Sequence, residues 1–186
     1  MVASLAPIII LFGTAIVAVG QEAAGTSIDT CDTISLARPG TGVAYTGLVS
    51  NSDYRFSSTI PAGLTGWGAG PSAPFHGFVI YLNNKSSETS CINLEVGIHV
   101  DLPGDSPSTT TTAKRAVKIK VGNRVGTQTS VKGLSRGTTF ENVTVTLALF
   151  RSGYRTDLSI TFITPTKDIN ETQPIFERFI SQLHFD

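Results

Sequence analysis

The chain has 186 residues, with 14 basic and 14 acidic side chains that give a formal charge of zero, so it lacks the positive surplus with which proteins hold nucleic acid or anionic lipid. Only 15% of its residues are charged, while Thr, Ser and Gly are plentiful, a balance that suits strands and turns better than helices. The length fits one domain with a sizeable core.

Residues 1–20 pass through an uncharged apolar run, "LAPIIILFGTAIVAVG", and end on Ala18-Val19-Gly20, with the first charge at Glu22. A short apolar run closed by small residues reads as a secretory signal peptide rather than a membrane span. Gln21 is then the first mature residue. Cleavage leaves 166 residues and no second apolar stretch long enough to cross a bilayer, so the mature chain is expected outside the cell and without a span. Its two cysteines, Cys31 and Cys91, are expected to pair on an oxidising export route. On the chain-entropy model such a bridge restricts the unfolded chain by about 4 kcal/mol. No histidine or basic residue flanks either cysteine, so a reactive thiol or a metal ligand has little support there.

Further along, the pattern alternates with a period of two. "FHGFVIYLN" (75–83), "CINLEVGIHV" (91–100), "RAVKIKV" (115–121), "VTVTLALF" (143–150) and "TDLSITFI" (156–163) are β-branched or aromatic runs separated by Gly, Pro and Asn, and they predict antiparallel strands of a sandwich or barrel. The Gly-rich connection 63–74 holds the only tryptophan, Trp67. "PGDSPSTTTTA" (103–113) has no periodicity and is expected to be a loop, with hydroxyls open to O-glycosylation. "QPIFERF" (173–179) predicts one helical turn with Pro174 early in it. Three sequons, at Asn84, Asn142 and Asn170, read as N-glycan acceptors. Alternation in 143–150 puts Asn142, Thr144 and Thr146 opposite the apolar positions, so a glycan on Asn142 would point away from the core.

Taken in order, "STIPAGL", "GFVIYLNN" and "INLEVGIHV", then "RVGTQTSVKG", "SRGTTFENVTVTL", "GYRTDLSITF" and "IFERFISQLHFD", residues 59–186 resemble a galectin domain. The resemblance implies an all-β, antiparallel, jelly-roll-like sandwich over 59–186, with 21–58 as an amino-terminal extension. It also implies a sugar groove in which a ring stacks on the sugar while polar side chains take its hydroxyls. Matched position by position, the His, Asn and Arg of the galectin triad fall on Glu95, Gly97 and His99. The galectin Trp falls on Val125, its Glu on Gln128 and the last Arg on Ser130, while Gly126 and Thr127 keep the pattern. Ordinary galactoside contacts are therefore not expected. Two readings remain open: Glu95, His99, Asn123 and Gln128 form a new polar groove for another glycan, or they are solvated strand residues. Trp67 has the same two sides, a recognition ring over that groove or an anchor for its loop.

Some signals look chemical. "GLSRG" (133–137) satisfies Gly-x-Ser-x-Gly, and Asp157 or Asp168 followed by His184 gives the order of a hydrolase triad. The residues beyond Gly137 predict a strand where a nucleophile elbow needs a helix. His76, His99 and His184 lack zinc spacing, and the acidic residues form no calcium loop. "AKRAVKIK" (113–120) is a local basic patch that suits sulfated glycans or a solvated strand face. The reading is a secreted, non-enzymatic binding protein without cofactor or metal, whose partner is an extracellular glycan or glycoprotein. The alternative is a protein-interaction module on a lectin-like scaffold that has lost sugar binding.

Overall fold

A computed structural model describes residues 28–34, 37–68, 77–83, 89–99, 116–151 and 154–186, with the backbone alone at 83, 98–99, 150–151 and 154–155. The predicted signal peptide, the loop 103–113 and the sequon at Asn84 lie outside the described residues. In chain order the elements are α1 (Cys31–Ile34), β1 (Val43–Tyr45), β2 (Leu48–Asn51), β3 (Phe56–Thr59), β4 (Gly66–Gly68), β5 (Gly77–Asn83) and β6 (Ser90–His99). They continue with β7 (Val117–Val121), β8 (Arg124–Ser135), β9 (Thr138–Arg151), β10 (Tyr154–Pro165), α2 (Ile169–Ser181) and β11 (His184–Phe185). An eight-stranded sheet runs β1-β4-β5-β6-β10-β9-β8-β7 and a three-stranded sheet runs β11-β3-β2. Every pairing is antiparallel, so the all-β antiparallel class predicted from alternation is the one observed, and of sandwich and barrel the strands form two sheets rather than a closed barrel.

Alternation decides which side chains form the core. Along β9, Val143, Val145, Leu147 and Leu149 are buried, and their register partners on β10 include Leu158, Ile160 and Phe162. These residues meet Phe176, Phe179 and Ile180 of α2 together with Val49, Phe56 and Phe185 of the small sheet. Phe162 stacks on Phe176 with ring centroids 4.8 Å apart, and Phe78 meets Phe179 edge-on at 6.2 Å. Tyr45 packs at the margin of this core, and burial pushes its phenol above the ordinary range.

Three features differ from the sequence reading. First, α2 has 13 residues instead of one turn, with Pro174 in its interior. Pro174 cannot donate to the Asn170 carbonyl, but a buried hydroxyl chain holds the first turn to the sheet. The hydroxyls of Ser90 and Thr164 lie 2.8 Å apart, those of Thr164 and Thr172 3.0 Å apart, and Thr172 Oγ1 donates to the Asp168 carbonyl at 2.9 Å. Second, residues before 59 are more than an extension. The second sheet takes β2 and β3 from them, and Val49, Tyr54 and Phe56 enter the main core. Third, the Gly-rich connection contains β4, which puts Trp67 in the large sheet opposite Val79.

Two glycines are fixed by close approach. A Cβ on Gly77 would collide with the Leu94 carbonyl oxygen, and one on Gly122 would collide with that of Leu183. Gly122, in the turn between β7 and β8, donates its N–H to the Ile180 carbonyl at 2.9 Å, which ties that turn to the end of α2.

Candidate functional site

The face of the large sheet that turns away from α2 has two parts. At one end Val79, Cys91, Phe140 and Ile163 pack against Ile28, Cys31 and Ala37, with Trp67, Tyr81 and Val131 at the margin. The disulfide between Cys31 and Cys91, with Cα atoms 6.0 Å apart, clamps this cover to β6, as the pairing of the two cysteines predicts. Tyr81 Oη donates to the Ala37 carbonyl at 3.1 Å.

Beyond the cover the same face is polar. Register carries one row from Trp67 and Val79, at the edge of the cover, through Asn93, Thr161, Thr144 and Thr129, across β4, β5, β6, β10, β9 and β8. The next row is Gly77, Glu95, Ser159, Thr146, Thr127 and Lys118, across β5, β6, β10, β9, β8 and β7. Neighbouring strands lie about 4.8 Å apart, so each row offers a hydrogen-bonding group at nearly every strand. Glu95 and Thr146 are exposed; Asn93, Ser159, Thr161, Thr144, Thr127 and Thr129 are half-buried. Lys118 Nζ donates to Thr127 Oγ1 at 2.8 Å. Such hydroxyls and amides both donate and accept, which is the chemistry a polyhydroxylated ligand requires.

The sequence candidates fall in different places. Glu95 and Trp67 share this face, with Glu95 in the open polar part and Trp67 at its rim. Trp67 is half-buried against the disulfide-clamped cluster, so it anchors its strand. His99 closes β6 at the register of Arg155, and its side chain lies outside the described part.

Gln128 is paired with core residue Val145 and therefore points to the opposite face. There it lines a cleft of about 110 Å³ beneath α2 with Glu141, Phe162, Gln173, Phe176 and Glu177. Asn123 instead holds the chain end in place, since its Nδ2 donates to the Phe185 carbonyl at 2.7 Å and its Oδ1 accepts the Phe185 N–H at 3.0 Å. Arg124 reinforces that clamp, with its guanidinium 5.2 Å from the Phe185 ring centre. The expected groove of Glu95, His99, Asn123 and Gln128 is thus corrected. Two of the four residues serve other surfaces, because β8 joins β6 only through β9 and β10 and arrives with Gln128 on the helix side.

Val125, which the galectin resemblance matches to the stacking ring, is 67% exposed. Asn142 sits on the face away from the main core, between Ile163 and Val131 in register, and its Oδ1 accepts from Thr144 Oγ1 at 3.3 Å. Asn170 is exposed in the first turn of α2. Gly-x-Ser-x-Gly forms a hairpin: Ser135 ends β8, Arg136 and Gly137 have φ of 50° and 82°, and β9 follows. Two left-handed residues in a two-residue turn match the twist of the flanking strands. Among the described residues no group of three or more His, Cys, Asp or Glu is placed to hold a metal ion, and no helix is long and apolar enough to cross a membrane.

The hydroxyl rows are a feature that the sequence reading misses. Their signal is a repeated pair of small polar residues flanking one other residue: Thr127 and Thr129, Thr144 and Thr146, Ser159 and Thr161.

No family model and no curated protein matches the chain. Among solved structures it is similar to LpqN, involved in cell envelope biogenesis of Mycobacterium tuberculosis, with TM-score 0.52 and 10% identity over 75% of this chain and 90% of that one. A Bacteroides thetaiotaomicron VPI-5482 protein aligns with TM-score 0.44 and 13% identity, over 78% of this chain and 49% of that one. Cyanobacterial PsbP from Synechocystis aligns with TM-score 0.35 and 10% identity, over 86% of this chain and 99% of that one. The first likeness is one of fold alone.

Proposed function

We propose that the chain is an exported, non-catalytic binding module whose ligand is a glycan held on the open polar face of the large sheet. The observation that carries this reading is the pair of in-register rows, Asn93-Thr161-Thr144-Thr129 and Glu95-Ser159-Thr146-Thr127. A sugar presents a rim of donors and acceptors, and rows of hydroxyls, an amide and a carboxylate can meet it without conformational search, because a wide sheet fixes their spacing. The galectin-like order of segments over 59–186 supports the ligand class, and the contacts differ from the galectin set. The bridge between Cys31 and Cys91 suits an oxidising compartment outside the cytosol. N-glycans on Asn142 and Asn170 belong to the same reading.

A glycan array tests the proposal. Retention of the wild-type chain, lost when Glu95, Ser159 and Thr161 are changed together to Ala while thermal unfolding is unchanged, is the expected result. Failure on every glycan, with a partner protein held through the same face, would replace this reading with the protein-interaction module.

A further inference from the structure

On the other side of the molecule, α2 and the turn after β3 border an open groove of about 300 Å³ lined by Pro61, Ala62, Leu64, Pro174, Ile175 and Arg178. We infer that this groove binds a free monocarboxylate with an alkyl body, the chain lying between the two proline-bearing walls and the carboxylate meeting Arg178.

The size lies at the lower end of the range for small-molecule pockets, roughly 300–1,000 Å³. Five of the six lining residues are apolar, and the prolines carry no N–H, so the walls offer contact area but few hydrogen bonds. The walls are also braced. Leu64 donates its N–H to the Pro61 carbonyl at 3.0 Å, Ile60 donates to Gly47 at 2.9 Å, and Leu64 packs on the main core. The helical wall is set by Phe176 and Phe179, which are buried on the neighbouring stripe of α2.

Arg178 defines the ligand's charge. It lies four residues after Pro174, so the two share one helix face. Among the described residues its guanidinium has no ion pair or hydrogen bond, while its carbonyl accepts from Gln182 N–H at 3.2 Å and Ser181 Oγ at 2.7 Å. A cation is favoured in the last turn by the helix dipole, which accounts for the charge there but not for the apolar groove beside it. The guanidinium fork matches a carboxylate with two parallel N–H donors. With one cation and no further side-chain donor among the lining residues, the groove matches a single negative charge rather than a phosphate dianion.

Octanoate is the probe, titrated into the full chain and read by NMR shifts of the Leu64 and Ile175 methyls, with octanol and octylammonium as neutral and cationic twins. Saturable octanoate binding at those methyls is expected, with octanol at least tenfold weaker and octylammonium weaker still. Arg178→Gln should weaken octanoate about tenfold and leave octanol unchanged, whereas Arg178→Lys should recover part of the loss. Lys120→Ala, at an exposed position of β7 remote from the groove lining, should leave octanoate binding unchanged. Equal affinity for octanol, shifts confined to other residues, or an Arg178→Gln variant that binds as tightly as wild type would each overturn the inference. A leucine-ended peptide whose free carboxylate outcompetes octanoate, when its amidated twin does not, would overturn the free acid in favour of a protein chain end.

Discussion

Strand β10 presents Leu158, Ile160 and Phe162 to α2, and Asp157, Ser159 and Thr161 to the other face, in strict alternation. The first set is sealed by a helix and a second sheet. Among the described residues the second meets a cover only at the end clamped by the disulfide. One strand thus supplies both a core and a hydrogen-bonding surface, and the difference shows where this fold keeps its stability. The helix side carries the larger core and the disulfide-clamped cluster a smaller one, so the polar rows beyond that cluster are expected to tolerate changes without loosening the scaffold.

Three perturbations break or sharpen that contrast. Phe162→Ala removes a fully buried ring and its stacking on Phe176. It should cost about 5 kcal/mol in denaturant unfolding, the largest effect of the three. Replacing Cys31 and Cys91 together by Ser should lower stability by about 4 kcal/mol on the chain-entropy model. Measured by thermal unfolding with and without reductant, wild type should lose a comparable amount on reduction and the double variant nothing. Thr146→Ala, in the exposed middle of the second polar row, should shift stability by less than about 0.5 kcal/mol. A loss of several kcal/mol there would mean that the polar face is part of the packing, and the contrast would fail.

The strands are legible in the sequence because alternation is local. Val143, Val145, Leu147 and Leu149 announce a buried side within their own segment, and so do Leu158, Ile160 and Phe162. The cysteine pairing is legible from export chemistry and number alone. The candidate site is only half legible. Each strand reveals two faces, but which face of β8 matches which face of β6 is set by the pairing order β6-β10-β9-β8, in which β8 and β6 never touch. The galectin resemblance groups Glu95 with Gln128, and alternation within each strand cannot test that grouping, although the two lie on opposite surfaces. The polar clamp of Asn123 on Phe185 joins residues 62 apart, which no local pattern announces. Helix α2 outruns its predicted single turn because Pro174 reads as a boundary. Yet Thr172, Phe176, Phe179, Ile180 and Leu183 recur at helical spacing, and all are buried.

The small sheet has a kinetic meaning. His184 and Phe185 pair with Ser57 and Phe56, residues more than a hundred positions away, so β11 can dock only after an unusually large loop has closed. Loop-closure entropy must be met before that contact returns any energy. The β7 to β8 turn grips both the end of α2 and Phe185, so it holds the docked chain end from the side opposite β3.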